Sequence, residues 1–169
     1  ERLAESYDVI AVDLAGFGES AAYPDGVGYN MPNAVDNLTD NFAAWGVEKP
    51  HVVGNSLGGA IALELGARGV VSSVTALSPA GFFGVVNRLQ TFVLLIMLRL
   101  SSKLPDSVLR FVSQKSWGRK LAGSSLYTHP ERFTAEESYG DAMALKHCTG
   151  FERTILSGVR YAFKLKVPV

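Results

Sequence analysis

The 169-residue chain contains one cysteine, Cys148. A single thiol excludes an intrachain disulfide, a Cys-x-x-Cys redox pair and a multi-cysteine zinc site. It also points to a reducing compartment, so the expected location is the cytoplasm. Charge is scarce: Asp, Glu, Lys and Arg make up 19% of residues, against about 25% in an ordinary soluble protein. The 16 basic residues balance 16 acidic ones, which argues against a nucleic-acid partner. Long apolar runs are missing as well. The longest, Phe92 to Leu98, has seven residues, far short of the roughly 20 that cross a bilayer, so no transmembrane segment is expected. The opening stretch Glu1-Arg2-Leu3-Ala4-Glu5-Ser6 lacks the basic-then-apolar build of a signal peptide.

The 47% hydrophobic content is enough for one domain with a real core and too high for a disordered tail. The chain opens in what reads as the last turn of a helix. It stops at Lys166-Val167-Pro168-Val169 in what reads as the start of a strand, so an internal fragment of a longer protein is expected. Tyr7 to Val12 is a short β-branched apolar run closed by Asp13-Leu14-Ala15-Gly16-Phe17-Gly18, the pattern of a buried parallel strand and its turn. Val35, Leu38, Phe42 and Trp45 share one face of a predicted helix that has Asn30 as N-cap, Pro32 in its first turn and Gly46 just beyond its end. A second strand, His51-Val52-Val53, runs into Gly54-Asn55-Ser56-Leu57-Gly58-Gly59 and then a small-residue helix over Ala60 to Ala67, with Gly69 as its stop. A third strand, Val74 to Leu77, ends at Ser78-Pro79-Ala80-Gly81. Strands alternating with helices predict βαβ units and a mostly parallel α/β sheet with flanking helices.

From Phe82 the pattern turns helical, with breaks expected at Pro105, Gly118, Gly123, Pro130, Gly140 and Gly150. The expected organisation is a partial α/β core over 1–81, an all-helical insertion over 82–166, and a resumed core strand at 167–169. Leu89 to Leu100 is the most apolar stretch. It reads as a lid helix packed on the core and on other helices; the sharper alternatives are a wall of a hydrophobic substrate pocket or a contact with a membrane surface, rimmed by Arg88, Arg99 and Lys103.

Gly54-Asn55-Ser56-Leu57-Gly58 fits G-x-S-x-G between an apolar strand and a helix, the context that this pattern requires. A sharp strand-to-helix turn forces its serine into a strained conformation, so Gly54, Gly58 and Gly59 are expected to be small for lack of room. The Ser56 hydroxyl would then project at the carboxyl end of the strand. The following helix N-terminus, with the Leu57 N–H first, would face a developing oxyanion. The plainer alternative makes Ser56 the N-cap of a glycine-rich turn.

Three segments, Val12-Asp13-Leu14-Ala15-Gly16-Phe17-Gly18-Glu19-Ser20, His51 to Gly59 and Ser78 to Phe82, resemble the α/β-hydrolase family with a helical cap, in the family's order and spacing. The resemblance implies that Ser56 is the nucleophile, that Leu57 supplies one oxyanion N–H, and that the first strand is the family's fourth. Dehalogenases and epoxide hydrolases of this fold carry aspartate at the nucleophile position, so serine implies acyl or carbon–carbon bond hydrolysis. The family's His-Gly oxyanion loop, its acid and its catalytic histidine are expected outside these residues, so the chain by itself is expected to be inert. The substrate implied is a small, hydrophobic ester or related carbonyl compound, with no cofactor and no metal. The rival is a non-catalytic ligand-binding or truncated member of the same fold.

The three histidines offer no obvious base. His51 lies five residues before Ser56 on the same strand, about 16 Å away at roughly 3.3 Å per residue. His129 and His147 fall in the helical stretch and read as surface or packing residues. Gly16-Phe17-Gly18 with Ala21 matches the dinucleotide fingerprint G-x-G-x-x-A, but Tyr23 to Gly28 reads as loop where a helix should open, and Asp13 reads as a turn residue.

Overall fold

A computed structural model describes residues 2–82, 84–158 and 161–164. The expected strand at 167–169 lies outside them. The α/β part is a β-α-β unit preceded by a helix. Helix α1 (Met31–Ala44) starts where the Asn30 side chain accepts a 2.9 Å bond from the Asn33 N–H, and stops at Gly46, whose φ of +68° ends it in the left-handed region. Strands β1 (His51–Asn55) and β2 (Ser73–Leu77) pair in parallel, with Val52 opposite Val74 and Asn55 opposite Leu77. Helix α2 (Leu57–Ala67) crosses between them.

The sequence of α2 is apolar nearly all round, and the helix is buried accordingly: Gly59, Ala60, Ile61, Ala62, Glu64 and Leu65 are all inside. Ile61 and Leu65 meet Val35 and Leu38 of α1 to form the core, with Leu14, Phe42, Val70 and Val71 packed around it. Gly66 lets α2 sit close on the sheet, since a Cβ there would lie 2.8 Å from the Val74 Cγ2 on β2. The other face of the sheet is open among the described residues: Val53 is 66% and Leu77 53% exposed.

One expected strand does not form. Tyr7 to Val12 has no ladder partner among the described residues, and the sheet described has two strands. β-branched apolar residues suit a strand, but a strand exists only when a neighbour takes up its backbone N–H and C=O groups. Val9, Ile10 and Val12 are accordingly 52%, 49% and 41% exposed.

The remainder is helical, as expected: α3 (Val85–Ser102), α4 (Asp106–Gln114), α5 (Ser116–Gly123), a 3-10 turn at Pro130–Arg132, α6 (Ala135–His147) and α7 (Phe151–Gly158). Thr134 opens α6 with a reciprocal capping box to Glu137. Two expected breaks are wrong, because Gly118 lies inside α5 and Gly140 inside α6. At Gly118 the demand is contact, since a Cβ there would sit 2.2 Å from the Val112 carbonyl oxygen of α4.

Arg99 ties this region together. Its side chain, 11% exposed, leaves α3 and donates to the carbonyls of Leu145, Lys146 (3.1 Å) and Cys148 (3.0 Å) at the end of α6. It also grips the Glu152 carboxylate of α7 at 2.7 and 3.1 Å. A cation thus satisfies the orphan carbonyls of a helix C-terminus, where the dipole favours positive charge. The helices meet the α/β part at Gly16, whose carbonyl accepts from the Gly150 N–H at 2.9 Å and the Cys148 Sγ at 3.2 Å. Neither backbone could approach so closely with a side chain in place: a Cβ on Gly16 would lie 2.8 Å from Gly150 N.

Candidate active site

Ser56 stands between the last residue of β1 and the first of α2, with φ 51° and ψ −112°. A left-handed φ in a non-glycine residue costs of order 1–3 kcal/mol and persists only where its surroundings hold it. Here the backbone holds it on both sides. The Ser56 N–H donates to the Leu77 carbonyl at 3.0 Å, and the Ser56 carbonyl accepts from Ala60 at 3.1 Å and from Ala80 at 2.9 Å.

Gly54 and Gly59 are small for lack of room, as expected. A Cβ on Gly54 would fall 2.1 Å from the Gly58 carbonyl oxygen; one on Gly59 would fall 3.0 Å from the Gly54 carbonyl oxygen and 3.1 Å from the Pro79 Cβ. Gly58 departs from the expectation, because a Cβ there meets nothing within 4 Å. Its carbonyl, not its missing side chain, is what leaves no room for a Cβ on Gly54.

The Ser56 side chain is exposed and caps nothing: it accepts no hydrogen bond from the helix it precedes. The plainer reading, a serine placed to cap α2, thus lacks its bond. The Leu57 N–H, first in α2, has no partner among the described residues. Among the described residues, then, a hydroxyl and an N–H without partners stand next to each other at the positive end of a helix dipole.

Neighbouring positions show what sequence reasoning missed. Ser78, at the end of β2, also has a positive φ, 43°, and two residues later the Ala80 N–H closes onto Ser56. In sequence the run Ser78-Pro79-Ala80-Gly81 reads as a strand end and as part of the family resemblance; nothing in it signals the hydrogen bond back to Ser56.

The three histidines lie elsewhere. His51 is at the opposite end of β1, with Nδ1 2.7 Å from the Ser73 Oγ. His129 Nδ1 faces the Glu131 carboxylate at 3.2 Å, and His147 ends α6. None is hydrogen-bonded to Ser56. Asp13 shapes its turn: its carboxylate accepts the Glu19 N–H at 3.1 Å and its carbonyl the Ser20 hydroxyl at 2.8 Å. The loop then runs on without a helix to Met31, so no helix N-terminus follows Gly16 and Gly18. Among the described residues, no three His, Cys, Asp or Glu side chains are grouped to hold a metal.

Two open hollows, of about 350 and 320 Å³, lie beside α1, and Ser56 lines neither. The second is bordered by Glu64 and Tyr161, whose hydroxyl donates to the Glu64 carboxylate at 3.0 Å. Burial and that carboxylate push the Tyr161 phenol far above its ordinary range.

Comparison with known proteins identifies the family and the fold. The sequence model of the alpha/beta hydrolase family matches residues 1–157. Epoxide hydrolase EphH of Mycobacterium tuberculosis is 58% identical over 53 residues, 30% of this chain and 25% of that protein. A probable lysophospholipase, BODYGUARD 4 of Arabidopsis thaliana, is 36% identical over 81 residues, 46% of this chain and 19% of its own length. The dihydrolipoyllysine-residue acetyltransferase component of the acetoin cleaving system of Cupriavidus necator is 38% identical over 87 residues, 50% of this chain and 23% of that protein. The chain therefore spans a quarter or less of these relatives. Among solved structures, the lipase-like protein lip1 of Acinetobacter baumannii AYE superposes with a TM-score of 0.60 at 18% identity, over 87% of this chain and 46% of that one. The fold is thus an α/β hydrolase fold with a small parallel sheet and a large helical part, and the chain belongs to the alpha/beta hydrolase family.

Proposed function

We propose that this hydrolase cleaves a small, hydrophobic ester or related carbonyl substrate through an acyl-enzyme on Ser56. The observation that carries the reading is the strained, exposed Ser56, whose hydroxyl makes no hydrogen bond among the described residues while three backbone hydrogen bonds fix its conformation. In the reaction the Ser56 Oγ bonds to the substrate carbonyl carbon, the carbonyl oxygen becomes an oxyanion, and the Leu57 N–H donates to it. Collapse expels the alcohol, and water then releases the acid and restores the serine. The hydroxyl proton passes to a base that we assign to a part of the protein beyond the described residues, since none of the three histidines reaches Ser56. Cleavage of a carbon–carbon bond in a diketone-like compound uses the same first step. Serine favours either acyl chemistry over epoxide opening, despite the similarity to EphH, because the fold's epoxide hydrolases resemble one another in carrying aspartate there.

Because no histidine is hydrogen-bonded to Ser56 among the described residues, a second reading is a non-catalytic ligand-binding member of the family. A fluorophosphonate probe separates the two. The enzyme reading expects covalent labelling of Ser56 in the full-length protein, lost in Ser56→Ala, together with release of alcohol from short acyl esters. A well-folded wild-type protein that neither labels nor turns over esters overturns the enzyme reading and favours the binder.

A further inference from the structure

We infer that Tyr161 is a positioning residue for Ser56: it fastens α2 to the turn after β2, the two elements whose bonds to the Ser56 carbonyl hold the strained serine. The inference rests on the reading of Ser56 as nucleophile. The Ser56 carbonyl accepts from Ala60, in the first turn of α2, at 3.1 Å and from Ala80, in the turn after β2, at 2.9 Å. Its left-handed conformation therefore persists only while α2 and that turn keep their places relative to each other. Both bonds end on one oxygen, so they leave the angle between the two elements to other contacts.

Tyr161 touches both elements. Its hydroxyl donates to the Glu64 carboxylate at 3.0 Å, and Glu64 lies one turn beyond Ala60 on the same side of α2. Its ring lies against Gly81, the residue after Ala80: a Cβ on Gly81 would fall 2.7 Å from the Tyr161 Cε1 and 2.9 Å from the Phe163 nitrogen. The Phe163 N–H donates to the Gly81 carbonyl at 3.3 Å, and the Phe163 ring stands 5.6 Å from that of Phe82. Residues 161–163 are thus laced to the turn that reaches Ser56, and Tyr161 carries the connection across to α2. Gly81, with φ +104°, is required there both for its conformation and for room.

A polar pair is a costly way to fill this place. Glu64 is 9% exposed on a helix that is otherwise apolar, and a buried carboxylate loses its hydration. What the pair adds over an apolar contact is direction, because a hydrogen bond weakens steeply when its angle changes. Burial and the Glu64 carboxylate also keep the phenol protonated, so the hydroxyl stays a donor.

The test is the rate of fluorophosphonate labelling of Ser56 in the full-length protein, resolved into its limiting rate and its half-saturating probe concentration. Tyr161→Phe keeps the ring against Gly81 and loses only the bond to Glu64. It is expected to lower the limiting rate by at least about fivefold at an unchanged half-saturating concentration, a fraction of the roughly hundredfold that a 1 Å misplacement can cost. Glu64→Leu, which removes the acceptor without opening a cavity, is expected to slow labelling as well, and the double variant should be no slower than the slower single. Thr134→Ala, which weakens the protein far from this site, should label at the wild-type rate if stability alone is not what matters. Circular dichroism checks that every variant is folded. Wild-type labelling with an unchanged limiting rate in Tyr161→Phe overturns the inference and leaves the nucleophile standing. It is equally overturned if the change falls on the half-saturating concentration, if the two single effects multiply in the double variant, or if Thr134→Ala slows labelling as much. A wild-type protein that does not label overturns the nucleophile and this role with it.

Discussion

Two glycines of the Ser56 turn, four residues apart, should respond to the same substitution with opposite sign. In Gly54→Ala the new methyl would lie 2.1 Å from the Gly58 carbonyl oxygen, 2.2 Å from its carbon and 2.6 Å from the Gly59 nitrogen. All three are backbone atoms at the start of α2, so no rotamer can relieve the clash and the helix must lift off β1. Overpacking that moves side chains costs about 1–3 kcal/mol; a clash against backbone belongs at or above the top of that range, so we expect a loss of about 3 kcal/mol. In Gly58→Ala the methyl meets nothing within 4 Å, and Gly58 has no positive φ. Alanine there replaces glycine within a helix, which stabilises by roughly 0.5–1 kcal/mol. Urea unfolding followed by circular dichroism measures both, and equal m-values confirm that stability rather than compactness has changed. Fluorophosphonate labelling adds a local readout: Gly54→Ala should slow it by moving Ser56, and Gly58→Ala should not. Equal destabilisation by the two variants would refute the steric account, because it would mean that both glycines are needed for the same reason.

Other parts of the molecule give expectations of the same kind. Arg99→Ala removes donors from the Lys146 and Cys148 carbonyls and leaves the Glu152 carboxylate with Lys103 alone, 3.5 Å away; we expect a loss of about 2 kcal/mol and, by hydrogen exchange, lost protection centred on the α6–α7 turn, with α1 and α2 spared. The bond from Arg99 holds Glu152 down at about 2 from its ordinary 4.5. A carboxyl whose value is lowered on folding contributes stability above its unfolded value and loses it as the pH falls, here between about pH 5 and pH 2. Glu152 is 49% exposed, so solvent screening limits the contribution to about 1 kcal/mol, and Glu152→Gln should flatten that part of the stability–pH curve. Thr134→Ala removes one half of the capping box at the start of α6 and should cost about 1 kcal/mol in the same urea assay.

Elements whose signals are local were legible in the sequence. The α1 limits follow from Asn30, Pro32 and Gly46, each acting on backbone groups within a turn of itself, and the structure uses all three. β1, α2 and β2 follow from apolar runs bounded by glycine and proline. Tyr7 to Val12 has the same apolar signal and no ladder, because pairing depends on a neighbour that a run cannot specify by itself. Gly118 and Gly140 mislead in the opposite direction: glycine weakens a helix by only about 1 kcal/mol, a cost that the close contact with Val112 outweighs at Gly118 and that α6 bears at Gly140, where a Cβ would meet nothing within 4 Å. Arg99 could be read only as a charge at the rim of an apolar stretch. Its work as a shared cap for α6 joins residues more than 45 apart, a separation no spacing rule reaches.

The candidate site divides along the same line. G-x-S-x-G looks self-contained, and its steric part is: the clash that requires Gly54 comes from Gly58 and Gly59. Its conformational part is not local. A serine held at φ 51° stores about 1–3 kcal/mol, and a net bond contributes about 1 kcal/mol, so the bonds from Leu77, Ala60 and Ala80 together offset about 3 kcal/mol. Only Ala60 belongs to the helix that the motif begins. Leu77 and Ala80 come from β2 and the turn after it, and Pro79 of that turn, with the Gly54 carbonyl oxygen, is what Gly59 is fitted against. Without β2 in register, the five-residue pattern would relax to an ordinary glycine turn in which the serine is free to cap its helix. The strained serine is therefore a property of the whole β1-α2-β2 unit, and the pattern identifies it only because strand, helix and second strand follow in that order.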